Sequence, residues 1–124
     1  MHILVRFNFS SREITLVRQI ELLLFEPMIP GELLGKEVID SDARRVGIVR
    51  GIKLKYPPLK AMLIIRGKSL ETNVPIESID QVGKTVIRLK MRIDLEEISA
   101  EDVITLLHEL KQEILTEVKM GHEI

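Results

Sequence analysis

The sequence predicts a mainly β protein, α+β overall, that closes on one amphipathic helix. Three observations carry that reading. Short apolar runs between residues 36 and 93 are separated by Asp, Ser, Gly and Pro, the residues that break strands and make turns. Residues 1–9 alternate, with Ile3, Val5, Phe7 and Phe9 on one side. A capping signal at Ser99 opens an apolar stripe at helical spacing that runs to Val118.

The elements follow in order. Residues 1–9 read as a strand. Ser10 to Glu13 fits a capping box ahead of an apolar run, which favours a helix from about Ser11 to Phe25. Ile14, Leu16, Ile20, Leu22 and Leu24 also fit a period of two, so a strand competes with it there. Lys36–Asp40 is a short strand, and Ser41-Asp42-Ala43-Arg44 supplies a turn. Arg45–Tyr56 is a long strand that places Ile48, Ile52, Leu54 and Tyr56 on one face. Its other face carries Lys53 and Lys55, and also Gly47 and Gly51, where a bend or a close backbone approach is expected.

Tyr56-Pro57-Pro58-Leu59 cannot continue a central strand and reads as a stiff connection. Residues 61–66 are apolar on both faces, as in a strand covered on two sides. Residues 85–93 alternate again, with Ile87, Leu89, Met91 and Ile93 expected inward. Ser99-Ala100-Glu101-Asp102 is a capping box with acids in the first turn, where the helix dipole favours them. Val103, Leu107, Leu110, Ile114 and Val118 then form the stripe, Ile104, Leu106 and Leu115 widen it, and Gly121 is a natural stop. This face must be buried, either on the sheet or against the same face of a second copy.

Gly35-Lys36-x-Val38, Asp40, Gly47-x-Val49 and Val74-Pro75-Ile76 stand in the order and spacing that resemble the PRC-barrel family. The likeness covers residues 31–90, about half the chain. It implies a small PRC-type β-barrel at 28–93, flanked by the C-terminal amphipathic helix at 94–124 and the N-terminal strand-helix extension at 1–27 that the residue pattern itself suggests. One reading takes Met28 as the natural start, with 1–27 an upstream extension that packs poorly. The sequence departs from the family at Gly51, where an acid is frequent, and at Ala43, where the family often has glycine. An alanine there disfavours a left-handed backbone and predicts a different turn.

What the resemblance implies is a non-enzymatic adaptor for protein–protein interaction. Relatives include part of the photosynthetic reaction-centre H subunit, a domain of a bacterial ribosome-maturation factor, and small archaeal proteins. Some of the last anchor the cell-division ring, and the present chain looks most similar to them.

The residues themselves exclude several chemistries. With 124 residues the chain is one domain, or one small domain with appendages, and a barrel of ~60 residues buries only a modest core. No cysteine is present, which removes disulfides, thiolate metal sites and cysteine nucleophiles. No run approaches the ~20 apolar residues that cross a bilayer. Charged residues break up or flank the apolar stretch near Ile20–Phe25, unlike a secretory signal. The expectation is a cytoplasmic protein without cofactor or metal. His2, His108 and His122 sit in no metal-ligand or triad spacing, and His108 reads as a histidine on a polar helix flank. The glycines form no phosphate loop, so no enzyme is expected.

Charge is the remaining signal. Residues 43–70 hold eight basic side chains and no acid, whereas residues 93–124 hold nine acids and two lysines. Arg44, Arg45, Arg50, Lys53, Lys55, Arg88 and Lys90 are the candidate surface for an anionic partner. Two other readings stand beside it. The cations can be a solvated face guarding sheet edges, or the acidic helix can neutralise them within the chain or in a homodimer. Two functions remain open: an adaptor for a protein partner, and an RNA- or ribosome-associated factor. Tyr56 is the only aromatic near the basic set, which leaves little for base stacking.

Overall fold

The computed structural model describes residues 2–9, 18–25 and 31–121. Strands β1 (His2–Phe9) and β2 (Arg18–Phe25) form an antiparallel hairpin pair. Then come β3 (Glu37–Ile39), β4 (Arg45–Tyr56), β5 (Lys60–Arg66), β6 (Glu71–Pro75), a 3₁₀ turn at Ile76–Ser78, β7 (Ile79–Val82) and β8 (Val86–Leu89). One helix, α1 (Ala100–Gly121), closes the chain. No helix among the described residues is long and apolar enough to cross a membrane.

The strands form a single sheet in the order β1-β2-β4-β3-β8-β7, with β5 on the other edge of β4 and β6 beyond it. All pairs are antiparallel except β3 with β8. The expected closed barrel is corrected by this order. The sheet is open: among the described residues its path ends at β1 and at β7, and a branch from β4 through β5 ends at β6. It is nevertheless bent. Val38 of β3, Val49 of β4, Leu63 of β5, Val74 of β6 and Ile87 of β8 share one core, although three strands separate β6 from β8.

The expected helix at 11–25 is also corrected. Arg18–Phe25 is a strand, and residues 11–17 lie outside the described ones. Ile20, Leu22 and Leu24 lie opposite Tyr56, Leu54 and Ile52 of β4. Such cross-strand apolar pairs stabilise a ladder that an isolated capping signal cannot outweigh.

Strand β4 is bounded as its sequence predicts, but its faces are not. Val46 is an extra residue against β3, and Arg50 is an extra residue against β5. Each bulge shifts the alternation by one. Ile48 therefore faces the helix, whereas Ile52 packs against the core shared by the strands. The close approach expected at Gly47 is present: a Cβ there would collide with the Arg66 carbonyl oxygen. Met91, expected inward, is exposed, while Ile87, Leu89 and Ile93 are buried as expected.

A second core lies between the helix and the sheet. Leu34, Ile48 and Ile98 meet Val103, Leu106, Leu110 and Ile114. Leu110 is fully buried, and burying one leucine contributes roughly 1.5–3 kcal/mol, so this face firmly docks the helix. The capping box forms as predicted. The Ser99 amide donates to Asp102 Oδ2 at 3.0 Å, and the Asp102 amide donates to Ser99 Oγ at 3.1 Å.

Candidate interaction surface

The turn between β3 and β4 is built around Asp40, a fully buried carboxylate. The amides of Asp42 and Arg44 donate to Oδ1 at 3.0 and 3.1 Å. Arg44 reaches Oδ2 through Nε at 3.0 Å and Nη2 at 2.6 Å. The same guanidinium donates to the carbonyls of Ile93 and Leu95, at 2.7 and 3.0 Å. The pair thus fastens the turn to the segment that leads into the helix. Burial alone would raise the Asp40 pKa; the hydrogen bonds from Arg44, Ile93 and Asp42 outweigh it and hold the carboxyl below its ordinary value.

The same turn overturns the expectation for Ala43, which has φ 58°, in the left-handed region. Its amide donates to the Asp40 carbonyl at 3.0 Å, and the Asp40 amide donates to the Arg44 carbonyl at 3.0 Å. Together with the two bonds to Oδ1, these impose the conformation on a residue that does not favour it.

The predicted cations do not gather into one face. Arg44 is committed to Asp40. Arg45 meets Glu37 at 3.1 Å. Lys53 and Lys55 share Glu21, at 3.8 and 3.7 Å. Arg50 and Arg66 converge on Glu113 of the helix, at 3.5 and 2.7 Å, and Lys68 meets Asp102 at 3.8 Å. Neutralisation by the chain's own acids therefore accounts for much of the basic set. Arg88 meets Asp80 only at 3.9 Å, and Lys90 is exposed with no ion pair among the described residues.

The predicted helix face is largely used up in the same way. Val103, Leu110 and Ile114 are buried on the sheet and Leu107 lies at their margin. Val118 is in the helix, with its side chain outside the described ones. Leu106, which was expected only to widen the stripe, is central to it, while Ile104 and Leu115 face solvent. His108 is exposed.

Sequence reasoning missed a groove of about 600 Å³ on the surface formed by β3, β8 and β7. Ile39, Gln81, Val82, Gly83, Val86 and Arg88 line it. Ile39 and Val86 are half-buried and Val82 is 53% exposed, which leaves an apolar floor open to water. A second hollow of about 560 Å³, beside Arg44, Lys68 and Arg92, is also lined by Asp94 and Glu96. Its mixture of charges favours no one ligand. No protein-family model, curated protein or solved structure matches the chain.

Proposed function

We propose that this chain is a non-enzymatic interaction module of PRC-barrel type, a cytoplasmic adaptor that docks a protein partner on one face of its sheet. The observation that carries the reading is the apolar-floored groove beside β7, one of the strands at which the sheet ends among the described residues. A sheet end with open apolar surface beside it is a common docking geometry. Among the described residues, the cations Arg44, Arg45, Arg50, Lys53, Lys55, Arg66 and Lys68 are engaged by acids of the same chain. The buried Asp40–Arg44 pair in particular is saturated by structural hydrogen bonds and has no capacity left for proton transfer.

The motifs at 35–49 and 74–76 add the more specific form of the proposal, an adaptor like the archaeal members tied to cell division. A homodimer fits this role only through a surface other than the buried helix stripe. An RNA- or ribosome-associated role is the second reading, favoured by the positive excess at Lys84, Arg88 and Lys90. The ion pairs made by Arg45, Arg50, Lys53 and Lys55 weigh against it.

A pull-down from source lysate, with and without nuclease, tests the proposal. A nuclease-resistant protein partner supports the adaptor. Recovery of ribosomal or RNA-bound material that nuclease abolishes moves the assignment to RNA, and recovery of no protein removes the adaptor.

A further inference from the structure

Building on the adaptor reading, we propose that the β3–β8–β7 groove receives an extended acidic segment of the partner protein, which lies along the outer edge of β7. Three features identify this occupant. The first is the edge itself. Among the described residues β7 pairs only with β8, so its outward backbone groups face no other strand. A bulge at Asp80 interrupts the β7–β8 register and limits the regular edge to Gln81 and Val82. Backbone pairing there supplies few hydrogen bonds, so side chains must supply most of the selectivity.

The second feature is the floor. In an added strand, alternate side chains face the sheet. Val82, 53% exposed on β7 itself, is the apolar side chain such a strand meets first. Val86 and Ile39, half-buried on β8 and β3, continue the apolar surface farther across the sheet. The third is charge. Arg45 and Glu37 cancel in a pair at 3.1 Å. Arg88, 57% exposed, meets Asp80 only at 3.9 Å, close to the limit of an ion pair. Lys84 in the β7–β8 turn and Lys90 after β8 are exposed, and neither makes an ion pair among the described residues. Lys36 donates to the Gly83 carbonyl at 2.8 Å, which adds positive charge at the same turn. The surroundings of the groove thus carry an excess of cations over an apolar floor. Their complement is a chain of alternating apolar and acidic residues. No aromatic side chain lines the groove, so nucleobases find nothing to stack on.

The test uses a fluorescent, end-capped hexapeptide of alternating valine and aspartate, titrated into the full chain and followed by anisotropy. Saturable binding is expected, weakening with salt and falling roughly 10-fold in an Arg88→Glu/Lys90→Glu variant, the equivalent of about 1.4 kcal/mol. Amide shifts on binding are expected to centre on Gln81 and Val82 of β7, with smaller ones at Val86 of β8. Absence of saturation, equal binding of a valine–lysine peptide, or shifts centred elsewhere would overturn the proposal. So would a single-stranded RNA oligonucleotide that outcompetes the peptide at the same residues. A parallel pull-down separates the two claims. If Arg88→Glu/Lys90→Glu still captures the same protein as wild type, the groove proposal falls and the adaptor reading stands. If wild type captures no protein, the adaptor reading falls, and the titration alone decides whether the groove takes acidic chains.

Discussion

Of the places where arginine meets a carboxylate, two differ sharply in their surroundings. At the β3–β4 turn, Asp40 is fully buried and Arg44 surrounds it together with three backbone amides. At the seam between helix and sheet, Glu113 receives Arg50 and Arg66 while its own side chain stays 41% exposed. The formal pairing is the same. In the first case removing one partner strands a desolvated charge, whereas in the second water takes the partner's place. The charge segregation in the sequence therefore has two structural outcomes, one that organises the fold and one that decorates a contact made by apolar residues.

The comparison can be broken most directly at Asp40. Asp40→Ala is expected to cost about 3–5 kcal/mol in urea unfolding, because the Arg44 guanidinium and the turn amides lose their common acceptor. A loss below about 1 kcal/mol would put both arginine sites in one class.

Acid titration sharpens the same point. The Asp40 carboxyl is held below 3.8, its ordinary value, so the unfolded chain takes up the proton first as pH falls. Its contribution is fully present above that value and is lost as pH drops through the lowered folded one. Wild type should therefore lose stability more steeply with acid than Asp40→Asn. Parallel curves for the two proteins would show that Asp40 is not the group concerned.

Smaller effects follow. Ala43→Gly removes the left-handed strain that the Asp40 turn imposes and should stabilise the fold by up to about 1 kcal/mol. Destabilisation would mean that the alanine methyl contributes more than its φ costs. Glu113→Gln should cost roughly 0.2–1 kcal/mol, and the difference from wild type should shrink as salt is added. A salt-independent loss would assign Glu113 a structural weight like that of Asp40.

Local signals were legible in the sequence where nearby residues decide the structure. The ends of β4 and the Ser99–Asp102 cap are set by turn formers and by hydrogen bonds three residues apart, and both stand as read. The bulges at Val46 and Arg50 were not legible, since one extra residue leaves the apolar pattern intact and only changes which face it serves. The period of two at Ile20, Leu22 and Leu24 was legible in β2, but the sequence alone favours the helix because the pairing that decides for the strand, against Ile52–Tyr56, lies some thirty residues later. Arg44 resembled a surface cation for a similar reason. Its partner is four residues away, but its burial depends on the chain crossing at Ile93–Leu95. The groove draws on β3 and β8, a parallel pair joined only by long-range topology, and no local spacing announces it.

Strand β4 has a consequence for how the molecule opens. One of its edges is bonded to β5, and the other is handed from β3 to the Gly35–Lys36 backbone at Val49 and then to β2. No single neighbour can leave and expose it. Its central amides should consequently exchange with solvent water only when the whole domain unfolds, while those at the β7 edge exchange through small local openings. A partner captured at β7 would slow the fast set of amides and leave the slow set on its original clock, apart from the stability that binding itself adds.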